Sequence, residues 1–233
     1  MDRPYVLLSC AVSLDGYLDD ASDTRLVLSC AEDLDRVDEL RALSDAILVG
    51  AGTIRADNPR LLLHSQARRE ARISRGTRPD PVRITLTTTG DLDPAARIFT
   101  TGAAPRLVYV ASPALAAVRD RLGASAEVVD AGDPADLASV LADLASRGIG
   151  RLMVEGGRRV LTQFLIAGLA DELRLAIAPF FVGDSRAPRF VSDGSFPWNR
   201  ANPARLVEVT QVGCDAVLSY ALSDRFQPSG DAA

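Results

Sequence analysis

Apolar positions along the chain fall into short continuous runs separated by helical stripes. Tyr5 to Val12, Ala46 to Gly50, Val82 to Thr87, Arg106 to Val110, Ala126 to Val129 and Leu152 to Val154 are short and β-prone. Continuous apolar runs of this length suit strands buried on both faces. Leu34, Val37 and Leu40 recur at helical spacing behind Ser29 and Glu32, a capping-box pair, and that helix ends near Leu43. Ser112-Pro113 and Asp133-Pro134 each read as an N-cap with proline in the first helical position. Gly123 stops the first of these helices; Leu137, Val140, Leu141 and Leu144 give the second its inward face, closed near Gly148. Val160, Leu161, Phe164 and Leu165 form one more stripe, ended by Gly168. The style then changes. Glu172 to Ala178, Ala204 to Val212 and Ala216 to Leu222 read as strands with no long helix between them, and Asp215, beside Gly213 and Cys214, suits a hairpin turn. Residues 65–80 carry five arginines and few apolar positions and read as a surface loop; residues 225–233 read as a fraying tail. The pattern predicts one α/β domain over residues 1–224, with a mixed, mostly parallel central sheet and an antiparallel C-terminal part.

Composition changes this picture in three ways. The net charge of −5 argues against a nucleic-acid groove, which needs a basic face, yet a local arginine cluster can still bind a phosphorylated small molecule. Cys10, Cys30 and Cys214 are far apart and form no CxxC; with the single histidine, His64, they give no zinc constellation, so no metal is expected and each cysteine reads as a small buried apolar residue. No apolar stretch reaches membrane-span length, and Met1-Asp2-Arg3-Pro4 runs straight into a strand without a signal-peptide pattern. A cytoplasmic protein with no membrane partner is the expectation.

Candidate chemistry sits at strand ends, in residues 11–16, 50–64 and 155–163. In open α/β sheets, ligands bind beyond the carboxyl ends of the strands. Gly156-Gly157 reads as a strand-to-helix turn, where free amides and the helix dipole favour an anion, glycine lets a phosphate approach, and Arg158 and Arg159 add charge. A tight turn with no ligand fits the same residues. Thr53 and Asp57 fit helix capping as well as a site, and Arg41 fits a solvated helix face. Glu155 is different: a carboxylate ending a buried strand needs a partner. The dinucleotide fingerprint fails, because Gly50-Ala51-Gly52 is followed by Arg55 where glycine is required, and the P-loop pattern is missing.

Four linked stretches resemble the pyrimidine reductase of riboflavin biosynthesis. They are Ala11-Val12-Ser13-Leu14-Asp15-Gly16, the run from Ser44 to Leu61, Val154-Glu155-Gly156-Gly157, and Gly168 to Leu173 continued by Ala178-Pro179-Phe180-Phe181-Val182-Gly183. Order and spacing match over most of residues 4–222, closer to the stand-alone archaeal and fungal type than to the fused bacterial enzyme. The resemblance implies a dihydrofolate-reductase-like three-layer fold, NADPH as hydride donor, a homodimer, and a ribosylaminopyrimidine 5′-phosphate substrate reduced to the ribityl product. By resemblance, Ala11, Thr53, Asp57, Thr88 and Gly156 line the cofactor site, and Gly157, Arg158, Arg159 and Val160 hold its pyrophosphate. Arg41, Leu61, His64 and Glu155 match substrate-contacting positions, with His64 as a phosphate contact. Asp57 and Glu155 are the carboxyl candidates for proton delivery. Thr87-Thr88 stands where many relatives have Asp-Ser. The alternatives are a reductase of another pterin or imine on the same scaffold, and a non-catalytic NADPH-binding module. A fused deaminase is excluded by the missing His-x-Glu and Pro-Cys-x-x-Cys signature.

Overall fold

The computed structural model describes residues 3–22 and 24–227. The chain runs β1 (Tyr5–Ser13), α1 (Ala31–Ala42), β2 (Ala46–Gly50), α2 (Ala51–Asp57), α3 (Gln66–Ser74), β3 (Val82–Thr87), a short α4 (Arg97–Thr100), β4 (Arg106–Val110), α5 (Leu115–Leu122), β5 (Glu127–Asp130), α6 (Leu137–Ser146), β6 (Arg151–Val154), α7 (Arg158–Ile166), β7 (Glu172–Ala178), β8 (Arg205–Val212) and β9 (Asp215–Ala221). Among the described residues the strands form one sheet, ordered β5-β4-β3-β2-β6-β1-β7-β9-β8. It is parallel from β5 to β7; β9 and β8 then add antiparallel to the β7 edge.

Alternation along the strands makes this a three-layer structure. Val6 and Leu8 of β1, and Ala46 and Leu48 of β2, face a core shared with α6 and α7. Ile47 and Val49 face the other side, against Ile54 of α2, Ile98 and Phe99 of α4 and Val118 of α5, while Leu7 meets Leu40 of α1. Two stripes read from sequence are buried faces: Leu137, Val140, Leu141 and Leu144 of α6, and Val160, Leu161, Phe164 and Leu165 of α7. On α1, by contrast, Leu40 is buried but Val37 only partly so, and Leu34, expected to face inward, is 47% exposed. Gly168 takes a positive φ of 63° after α7, the left-handed stop that glycine supplies without a Cβ penalty.

Several local expectations are corrected. Residues 66–74 are a helix rather than a loop: Ser65 accepts from the Arg68 amide, and the buried Arg72 guanidinium donates to the carbonyls of Ala42 and Ser44. The N-cap of α1 is Cys30, not Ser29, and its N–H is taken by the Asp215 carboxylate at 2.9 Å. Asp215 is therefore a buried first residue of β9, and the hairpin turn is Gly213-Cys214. Helix α6 is capped by Asp136, three residues beyond the expected Asp133, and the Ser112 hydroxyl bonds Asp130 instead of capping a helix. Cys214 is exposed and Cys30 half-buried, so neither is a core residue. Of the expected tail, Arg225 donates to the Arg3 and Pro4 carbonyls and the Gln227 N–H to the Tyr5 hydroxyl; residues 228–233 lie outside the described residues. No helix among the described residues is long and apolar enough to cross a membrane.

Candidate active site

The parallel strands β1, β2, β3 and β6 end on the same side, and the segments leaving them enclose a cleft of about 650 Å³, within the usual size of small-ligand sites. Ala11 comes from β1, Thr53 and Asp57 from α2, Thr88 from the end of β3, and Glu155 through Val160 from the β6–α7 turn; all line this cleft, as does Arg41 of α1. A second hollow of about 230 Å³ lies beside it and contains Leu61 and His64. The two spaces share Arg25, Arg41, Thr53, Asp57 and Glu155. The expected cofactor residues thus line one lobe, the expected substrate residues line or adjoin the other, and both candidate proton donors stand at the junction.

The close approach of α2 to α7 depends on small residues. A Cβ at Gly50, which ends β2 and caps α2, would lie 2.9 Å from Cγ2 of Val160, so a side chain there would push against α7. Gly157 precedes α7, and its N–H donates to the Thr53 hydroxyl at 2.9 Å. Thr53 therefore braces the neighbouring turn rather than capping its own helix. The N–H groups of Arg158 and Arg159 open the nine-residue α7 and have no intrahelical acceptor. Two exposed guanidinium groups stand beside them, so this end of α7 offers donors and charge of the kind an anion would meet.

Glu155 finds its partner within the chain. Both of its oxygens accept from Arg41, at 2.6 Å from Nε and 2.6 Å from Nη2, and both side chains are largely buried. Burial works against the Arg41 charge, but the Glu155 carboxylate more than offsets this and holds the guanidinium protonated above its usual range. Asp57 has no such clamp. Burial pushes its carboxyl above the usual carboxylate range; Arg25, whose Nε stands 3.5 Å away, pulls the other way.

The loop after α2 is held by backbone contacts. Asp38, buried on α1, accepts from the N–H groups of His64 at 2.7 Å and Ser65 at 3.1 Å. Leu61 is buried at a positive φ of 51°, and Asn58 takes φ 42°. Such left-handed non-glycine residues cost roughly 1–3 kcal/mol and cluster where a loop must be aimed. Three further cations stand here; Arg25 matches a contact position of the fused relatives, while Arg60 and Arg97 had no assigned role. Arg25 meets Asp57, while Arg60 and Arg97 line the second hollow, and their side chains have no ion-pair partner among the described residues. Arg60 sits inside the matched motif, where only its charge set it apart. Arg97 arrives from α4, placed because its N–H donates to the Asn58 side chain at 2.7 Å, and no sequence spacing signals that.

Comparison with known proteins identifies the family and the fold. A protein from Archaeoglobus fulgidus, named 2,5-diamino-6-ribosylamino-4(3H)-pyrimidinone 5′-phosphate reductase, is 37% identical over 91% of this chain and 94% of its own. Acinetobacter baumannii RibD superposes with a TM-score of 0.76 at 26% identity over 95% of this chain, which spans 58% of that longer protein. A pyrimidine reductase-like protein from Corynebacterium diphtheriae gives a TM-score of 0.80 at 23% identity, covering 94% of this chain and 92% of its own, and supports the fold. The RibD C-terminal domain model matches residues 4–218, and this chain belongs to the RibD C-terminal domain family.

Proposed function

We propose that this protein reduces the ribosyl group of a ribosylaminopyrimidine 5′-phosphate to the ribityl chain, with NADPH as donor, as the name of its Archaeoglobus relative suggests. One observation carries the reading. A lobe rich in anion donors and a second, cationic lobe meet at a wall made of Thr53, Asp57, Arg41 and Glu155. Two ligands seated there would bring their reacting carbons together, and alignment of that kind can lower a barrier by several kcal/mol.

The residues divide the work. The amides of Arg158 and Arg159 would hold the cofactor diphosphate, and bound there the nicotinamide supplies a hydride. Arg55 lines the cleft together with Thr87, Thr88 and Thr89, and although it also meets Asp91 at 3.5 Å, its charge suits the 2′-phosphate of NADPH. In the second lobe Arg60, Arg97 and His64 receive the substrate phosphate. Each Glu155 oxygen bonded to Arg41 keeps a second lone pair for a pyrimidine amine donor. That pair positions the ring. Asp57, whose carboxyl burial keeps protonated to higher pH, delivers the proton to the opened sugar.

We further assign the protein to a homodimer in the cytoplasm. The outer strand β8 leaves Leu206, Val207 and Val209 exposed at an unpaired sheet edge, the kind of edge a second copy covers; a monomer in sedimentation would remove this. Free Cys10, Cys30 and Cys214 suit a reducing compartment.

The test is to mix the purified protein with NADPH and the 2-amino or 2-oxo pyrimidine phosphate and follow loss of the reduced-nicotinamide absorbance. Turnover with a phosphorylated pyrimidine and none with dihydrofolate is expected. Oxidation of NADPH by dihydrofolate alone, or by neither class, would remove the proposal.

A further inference from the structure

Cys30 and Cys214 stand 184 positions apart in sequence, yet the fold brings them together at the mouth of α1. Cys30 caps that helix, Cys214 forms the tip of the β8–β9 hairpin, and Asp215 opens β9. The two sulfurs and an Asp215 carboxylate oxygen all lie within 4.8 Å of one another. We propose that these three side chains form a binding site for a single thiophilic divalent cation of the zinc class, independent of the reduction proposed above.

The donor chemistry and spacing support this. Two thiolates and a carboxylate make a borderline-soft set that suits zinc over magnesium or calcium. Tetrahedral zinc with bonds of about 2.0–2.3 Å needs ligand atoms roughly 3.5–3.8 Å apart, so closure asks for a movement of about 1 Å. Asp215 is already fixed: one oxygen accepts the Cys30 N–H at 2.9 Å, and the other faces Cys214 Sγ at 3.6 Å. A carboxylate held by a backbone N–H is the outer support that metal ligands normally have. The space between the ligands is kept open by Gly213. A Cβ there would lie 2.6 Å from Cys30 Sγ and 2.6 Å from Oε2 of Glu32, so a side chain at this position would crowd Cys30. Glu32 borders the group without joining the three ligand atoms that meet within 4.8 Å, and solvent would complete the coordination. Exposed Cys214 leaves an entry path. On binding, each thiol gives its proton to solvent and the ion ties the hairpin to α1. That helix carries Asp33, Val37 and Arg41 to the cleft, so the ion would fasten one wall of the reaction site.

The test is titration of the reduced full-length protein with Zn²⁺ against a chromophoric chelator, and with Cd²⁺ read by thiolate-to-metal absorption. One equivalent is expected, with a charge-transfer band and a rise in melting temperature. Cys214→Ser should weaken binding at least tenfold and abolish the melting shift, while Cys10→Ala leaves both intact. Because Cys214 is exposed, its variant should melt like the metal-free wild type, which separates lost binding from lost fold. Binding that survives Cys214→Ser, or a titration without the thiolate band, overturns the site. So does a Cys30–Cys214 disulfide that persists under mild thiol reductant and excludes the ion.

Discussion

Replacing Arg41 by methionine keeps most of the side-chain volume and strands the Glu155 carboxylate. In the wild type the Glu155 side chain is 13% exposed and Arg41 17%, and both carboxylate oxygens depend on the one guanidinium. Removing one partner of a buried pair typically costs 3–5 kcal/mol. Here the pair borders a cleft that admits water, so a cost of about 2–3 kcal/mol is the better figure. For a chain of this size that corresponds to a melting temperature lower by roughly 4–12 °C. Adding Glu155→Gln to Arg41→Met removes the stranded charge and should restore more than half of the loss. Glu155→Gln alone should cost less than Arg41→Met, because the long Arg41 side chain can turn toward solvent and also feels Asp38. Denaturant melts of the four proteins give the cycle directly. Substrate binding should fail in all three variants while NADPH binding persists, since the pair stands at the junction of the two lobes and away from the amides that open α7. An Arg41→Met cost below about 0.5 kcal/mol, or no recovery in the double variant, would refute the view that Glu155 is held by this one contact.

Asp57→Asn should lower turnover more than tenfold with the melting temperature unchanged within a few degrees. As burial raises the Asp57 carboxyl, the protonated donor is present below that raised value and lost above it, so wild-type turnover should fall as pH rises through it and the variant's residual rate should lose that limb; an unaltered rate profile would take Asp57 out of the reaction. Arg60→Ala and Arg97→Ala should each raise KM for the phosphorylated pyrimidine about tenfold, the scale of one charge-assisted hydrogen bond, and leave NADPH affinity alone. Equal losses for both ligands would show that these arginines serve the fold instead.

Much of the sheet was legible because its central strands are largely apolar runs and α6 and α7 show clear stripes; β2 and β3 occupy the very residues the pattern predicts. Buried arginine carries no sequence signal, and it turned α3 into an expected loop. In α3, Arg72 is buried and satisfied by main-chain carbonyls, and in β3 Arg83 is buried while donating to the carbonyls of Ile98, Thr101 and Ala104. A charge neutralised by backbone acceptors looks in sequence like a surface charge, because its partners are remote and carry no side-chain signature. The same blindness hid the meeting of Cys30 with Cys214 and the arrival of Arg97 at the second lobe. Caps failed for a related reason. Ser29 and Asp133 have the right identity, but Asp215 from a distant strand and Asp136 from the next turn hold the helix starts.

Within the site, legibility followed the kind of contact. Residues whose role is to let backbone come close, such as Gly50 and Gly157, could be read as a turn at a strand end, since glycine there has few other uses. Residues whose role is charge could be placed but not paired. Glu155 was expected to need a partner, and the partner is Arg41, itself expected to touch substrate. That pairing separates the two carboxylates chemically. One is neutralised by a bidentate guanidinium and suits recognition; the other, half-buried beside a single arginine at 3.5 Å, holds a proton to higher pH. Two carboxyl groups in unlike surroundings are what one site needs to bind and to protonate at the same pH.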